Sequence, residues 1–302
     1  MFASSAFIFK IGEKELLANN YKGALSHFEN VVQNTSDYKE LANLYEVIGD
    51  TYVSMSMYDD ALGSYGKSLE SLFHFKGELV SNDRAILVYK KLSDTLFDSA
   101  QYQAALESYN KVLKMFRHDE SNCHALLPHI RHRIGLLHFY KGEFSLALEE
   151  FWNALILVEE ELGCCDAPAY WRKDTSSKEG SNVFYATILY CLGLAHEVRH
   201  EHRWALSRFT ESLAIQRREP YRNDFSEMVA STMAHVGLAY SNLGELQEAK
   251  ASYKAVKKLA TEISSSDSIL DGDSQNIPHA VAAAWSKTKF IARLRKNVNV
   301  NV

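Results

Sequence analysis

Proline is nearly missing from this 302-residue chain: there are four, beside 14 glycines. Sandwiches and barrels need turn residues every few positions, so this scarcity excludes a turn-rich β fold and leaves helix as the expected class. Cysteine is equally sparse, at four. Cys123, Cys164, Cys165 and Cys191 cannot make a disulfide framework for a chain this long, which points to a reducing cytosolic or nuclear setting. Long apolar runs are absent too. The longest near the middle, Ala154 to Val158, falls far below the roughly 20 residues a bilayer requires, so no transmembrane segment is expected. The opening MFASSAFIFK has no basic leader and runs straight into IGEKE, which reads as helix and not as a signal peptide. Net charge is −5, against nucleic acid as the expected ligand. What is present is apolar material for a packed core, 46% of residues.

That material is periodic. The stretches MYDDALGSYGKSLE (57–70) and QYQAALESYNKVLK (101–114) share one frame, and it occurs six times: Tyr21-Ala24-Phe28-Val31, Tyr58-Ala61-Tyr65-Ser68, Tyr102-Ala105-Tyr109-Val112, Phe144-Ala147-Phe151-Ala154, His202-Ala205-Phe209-Ser212 and Leu246-Ala249-Tyr253-Val256. Twelve residues before each alanine stands a small residue after an aliphatic one, at Gly12, Gly49, Ser93, Gly135, Gly193 and Gly237. Apolar residues three and four apart share a helix face, and small residues let two helix backbones approach, so each unit is expected to be a pair of amphipathic helices. One pair cannot bury both its faces, so pairs are expected to stack into a solenoid. Repeat packing is assigned to Gly12, Ala24, Gly49, Ala61, Ser93, Ala105, Gly135, Ala147, Gly193, Ala205, Gly237 and Ala249.

VIGDTYVSMSMYDDALGSYGKSLE and HVGLAYSNLGELQEAKASYKAV resemble the tetratricopeptide repeat slot for slot. The family's tryptophan slot holds Ile8, Tyr45, Tyr89, Arg131, Leu189 and Met233 instead. The resemblance implies an all-α, right-handed superhelical solenoid of six helix pairs over residues 5–262, with units at about 5–38, 42–75, 86–119, 128–162, 186–219 and 230–262. Successive small residues lie 37, 44, 42, 58 and 44 apart, a long period similar to that of kinesin light chains, although the paired asparagines of that family are lacking. The surplus in the longest gap predicts an inserted loop at 163–181. A linker at 264–277 and a capping helix at 278–297 complete the expected order.

No sequence constellation for catalysis stands out. There is no P-loop, dinucleotide fingerprint, His-Glu-x-x-His or Cys-x-x-Cys. The histidine-rich stretch with His118, Cys123, His124, His129, His132 and His138 places two members in an inter-unit connector and His138 in a packing slot; His196 fills the same slot one unit later. Neither metal nor cofactor is expected, and the vicinal Cys164 and Cys165 read as free thiols.

The expected function is a non-enzymatic scaffold or adaptor that holds a partner protein segment in a concave groove, with no small-molecule substrate. The resemblance puts the groove lining three before and one after each small residue: Phe9 and Glu13, Glu46 and Asp50, Lys90 and Asp94, His132 and Leu136, Tyr190 and Leu194, then Ala234 and Leu238. Glu46 and Asp50 are read as exposed carboxylates, silent for stability. Carboxylates early and apolar groups late suggest a partner segment with a basic stretch and apolar anchors. The alternative is a regulatory module that docks on RNA or an acidic membrane through the basic terminal stretch, Lys287, Lys289, Arg293, Arg295 and Lys296.

Overall fold

The computed structural model describes residues 5–74, 82–116, 124–161, 179–217 and 223–267. They form twelve α-helices and no strand: α1 (Ser5–Leu17), α2 (Tyr21–Asn34), α3 (Tyr38–Ser54), α4 (Tyr58–His74), α5 (Asn82–Asp98), α6 (Tyr102–Phe116), α7 (Leu127–Tyr140), α8 (Phe144–Glu161), α9 (Glu179–Val198), α10 (His202–Gln216), α11 (Asn223–Leu243) and α12 (Leu246–Asp267). The chain divides into two compact units, residues 1–130 and 131–302.

The six helix pairs close on one turn design. A left-handed residue sits five before each alanine of the frame: Asn19, Ser56, Ala100, Gly142, His200 and Gly244, with φ between 58° and 84°. The next residue donates its N–H back to the carbonyl five positions earlier, as in Met57 to Tyr52 (2.9 Å) and Glu201 to His196 (3.0 Å). This double-bonded ending satisfies carbonyls that a helix terminus otherwise leaves open, and it reverses the chain. A side-chain pair fastens three of these turns at one shared spacing: Asn20 Nδ2 donates to Glu15 (2.6 Å), and His138 and His196 Nδ1 meet Glu143 and Glu201 (2.6 Å each).

Within each pair a small residue seats the ring that lies sixteen positions on. A Cβ added to Gly12, Gly49, Gly135 or Gly193 would fall 2.5–2.6 Å from Phe28, Tyr65, Phe151 or Phe209, which are all but fully buried. Burial of such a ring is worth about 1.5–3 kcal/mol, and it is available only because no side chain stands beneath it. At Ser93 the hydroxyl turns aside, bonding Tyr89 O and Ser108 Oγ at 2.7 Å each, and leaves the seat to Tyr109. Ala24, Ala61, Ala105, Ala147 and Ala205 have no exposed surface, and Ala249 is 4% exposed. Ser68 and Ser212 occupy one common slot and donate to Ala42 O and Ala186 O at 2.7 Å.

Two further slots on each second helix lie one and eight after the alanine. They hold Leu25 and Val32, Leu62 and Leu69, Leu106 and Leu113, Leu148 and Leu155, Leu206 and Leu213, then Lys250 and Lys257. In residues 1–130, Leu25 and Val32 share a core with Leu44 and Ile48 of α3. In residues 131–302, Leu148 and Leu155 pack with α9, and Leu206 and Leu213 with Met233 and Val236 of α11.

Several boundaries differ from the sequence reading. Residues 179–181, expected in the inserted loop, open α9, and 264–267, expected in the linker, extend α12, where no proline or glycine interrupts the helix. α5, α9 and α11 each begin four to seven residues before the expected unit. Part of the long period is therefore spent on longer first helices. The remainder of the loop and the cap at 278–297 lie outside the described residues.

Candidate partner-binding face

In residues 1–130 five of the six slots flanking the small residues are charged. Phe9 is half-buried with its ring 5.4 Å from Phe28, and Glu13 is exposed. Glu46 departs from its expected exposure: it is buried, at 9%, because α5 supplies two cations. Arg84 Nη2 donates to Oε2 at 2.6 Å and Lys91 Nζ to Oε1 at 2.8 Å; Lys91 also reaches Asp50 Oδ2 at 2.6 Å. Burial pulls the Lys91 ammonium down, but bonds to Asp50 and Glu46 outweigh it and hold its pKa above the usual lysine value. Asp50 is committed a second time, accepting from the Tyr65 hydroxyl at 2.7 Å. Asp94 repeats the design, accepting from Tyr109 and pairing with Lys90 at 2.7 Å. Burial, and then the bond to Asp50, push the Tyr65 phenol well above its ordinary value.

The acids thus have an internal reason to be there. Tyr65 and Tyr109 bring hydroxyls into a packed interface, and the slot one after the small residue supplies their acceptors; Tyr253, which is partly exposed, has Leu238 there instead. Where the ring is Phe151 or Phe209, that slot holds Leu136 or Leu194. Reversal of Glu46 and Asp50 to lysine would therefore strand Arg84 and Lys91 and damage the fold, contrary to the sequence expectation of silence.

In residues 131–302 the same slots turn inward. Leu136, Tyr190 and Leu194 pack against the core of α8 and α9. His132 lies between Phe151 (5.8 Å) and Phe184 (5.4 Å), and its Nε2 is 3.4 Å from Cys191 Sγ. Cys191 is a buried free thiol whose pKa burial pushes up to about 12, so it is chemically quiet at neutral pH. Tyr190 bonds Ser231 at 2.9 Å, and burial raises its phenol as well. Ala234 is buried and Leu238 half-buried.

Sequence reasoning missed the slot two before the small residue. Its side chain reaches back to the preceding first helix: Lys91 to Glu46 and Asp50, Cys191 to His132, and His235 Nδ1 to Glu197 Oε2 at 2.8 Å, both fully buried. The links span 38 to 59 residues and differ in chemistry, so no repeating sequence signal marks that slot. His138 and His196, expected as packing residues, serve the turns described above. Among the described residues no group of three or more His, Cys, Asp or Glu could hold a metal, and no helix is long and apolar enough to cross a membrane. Cys123, Cys164, Cys165, His118 and the basic stretch from Lys287 to Lys296 lie outside those residues.

Residues 230–262, across α11 and α12, match the tetratricopeptide repeat family. No curated protein matches the chain. Among solved structures, BtubC (BKLC) from P. vanneervenii is 14% identical with a TM-score of 0.63, over 87% of this chain and 93% of that one. The apo form of RapI is 18% identical with a TM-score of 0.63, over 98% and 99%. The apo quorum sensor NprR from B. thuringiensis is 15% identical with a TM-score of 0.53, over 84% and 76%. At such identities the likeness is one of fold.

Proposed function

For a chain with the tetratricopeptide-repeat fold, we propose a non-enzymatic scaffold that holds a polar segment of a partner protein on the first-helix face of residues 1–130. The observation that carries this is the strip of paired charges on α3 and α5. Asp50 is 44% exposed, Lys91 32%, Lys90 27% and Asp94 24%, so each is fixed by a partner and still open to a ligand. Pre-set donors and acceptors of both signs recognise a segment that offers both, including main-chain groups, at little ordering cost. Glu13 and the open side of Asp50 favour a basic residue in that segment. Cysteine usage supports a cytosolic or nuclear location, and the long period supports an adaptor role akin to that of kinesin light chains.

The test is affinity capture from the native cell with the full chain and with Lys90→Ala/Asp50→Asn. Asparagine still accepts from Tyr65, so the melting temperature should move by only about 2 °C, while partner yield should fall about tenfold. Capture of the same proteins at the same yield would show that this face is not used.

A further inference from the structure

The last helix pair is built differently from the five before it. At the slots one and eight after the alanine of its second helix, where every earlier pair carries an aliphatic residue, α12 carries Lys250 and Lys257. The corresponding Leu206 and Leu213 of α10 seat the helix α11 through Met233, Ala234 and Val236. Tyr253 is also 39% exposed, whereas the rings in its slot elsewhere are at most 2% exposed. Lys250 and Lys257 make no ion pair with any described residue. The end face therefore keeps the form of a helix seat, with an aromatic floor, but presents cations where a leucine pair would hold the next helix.

We infer that this face docks a helix of a partner protein bearing two carboxylates seven residues apart. The two lysines stand seven residues apart on one helix, about 10.5 Å along its axis, so two acids one heptad apart on the incoming helix meet them in register. Charge complementarity selects that occupant. A seventh repeat with leucines in its contact face would bury two ammonium groups without partners, and a basic segment such as Lys287 to Lys296 would bring like charge to them. The surface is separate from the first-helix face of residues 1–130, so the two readings succeed or fail independently.

The probe is a 21-residue helical peptide of alanine, glutamine and leucine, carrying two glutamates seven apart on its leucine face, with a twin carrying two lysines there. Binding to the full chain is read by fluorescence anisotropy at low and high salt. The glutamate peptide should bind about tenfold more tightly than its twin, and the preference should fade as salt rises. Lys250→Glu/Lys257→Glu should exchange the preference; both residues are exposed, and if that variant does not fold, Lys250→Gln/Lys257→Gln should abolish it. Equal binding of both peptides, binding of neither, or an unchanged preference in the variant overturns the proposal. So does a zero-length carbodiimide cross-link, within one full-length chain, from Lys250 or Lys257 to Asp271 or Asp273, since the seat would then belong to the chain's own acids.

Discussion

Residues 1–130 and 131–302 each contain three first helices read in the same frame, yet the first unit shows charge in the slots where the second shows leucine. In the pairs where aspartate meets tyrosine or leucine meets phenylalanine the difference follows from one atom; Glu13 beside the Phe28 pair and Leu238 beside the partly exposed Tyr253 fall outside that rule. Tyr65 and Tyr109 carry hydroxyls into the pair interface, and Asp50 and Asp94 accept from them; Phe151 and Phe209 carry none, and Leu136 and Leu194 stand opposite. Once the acids are present, Lys91 pairs with Asp50 and Lys90 with Asp94, so the polarity of the candidate binding face is set in part by core packing. A slot that looks chosen for a ligand can first be answering a neighbour.

The largest effect should come from the feature both units share. Gly193→Leu places a side chain where even a Cβ would be 2.5 Å from the Phe209 ring, and neither helix can retreat without opening the core. It should cost about 3 kcal/mol in denaturant unfolding. Gly237→Ala is the contrast: its Cβ would sit 3.0 Å from Tyr253, which is partly exposed and can swing, so the loss should stay below about 1 kcal/mol. Comparable losses would mean the ring seats are not what holds the pairs closed.

Next comes the exchange of polarity itself. Phe209→Tyr should destabilise by about 2 kcal/mol, because the new hydroxyl faces Leu194 without an acceptor, and Leu194→Asp in the same chain should recover part of that loss. In the first unit, Asp50→Leu should cost about 1 kcal/mol less in a Tyr65→Phe background than alone. Additive values in both cycles would break the link between ring chemistry and face polarity.

These cycles also mark the limit of what the residues disclose by themselves. The six helix pairs were legible because the ring and its small seat are sixteen residues apart in every copy, a relation fixed inside one pair. Links between pairs were not. Lys91 with Glu46 and His235 with Glu197 span 45 and 38 residues, and their meeting depends on how one first helix registers on the next. Glu46 departs from its expected exposure for that reason: a glutamate alone predicts exposure, whereas a glutamate facing Arg84 and Lys91 can be buried. The early starts of α9 and α11 lie before the repeat frame begins, although Ser176 and Asp224, each with a glutamate three residues on, are capping signals at those points.

The smallest effect concerns the turns, where the units also differ. The left-handed position is Asn19, Ser56 and Ala100 in the first, and Gly142, His200 and Gly244 in the second. An L-residue there crowds its Cβ against the following carbonyl, at roughly 1–2 kcal/mol, and asparagine tolerates this best because its short side chain bonds locally. Alanine has no such relief. Ala100 holds φ at 60° only because the bond from Gln101 N–H to Leu96 O, at 2.9 Å, and the packing of α5 on α6 impose it. Ala100→Gly removes the crowding, but glycine also loses more backbone freedom on folding, so the net gain should be about 0.5–1 kcal/mol. Gly142→Ala, at φ 81° with open space around the new Cβ, should lose a similar amount through backbone strain alone. Thermal melts of the two variants should thus move in opposite directions. If Ala100→Gly instead lowers the melting temperature, the first unit's turns depend on side chains for their shape, and the two units differ in how they close a helix pair as well as in what they present.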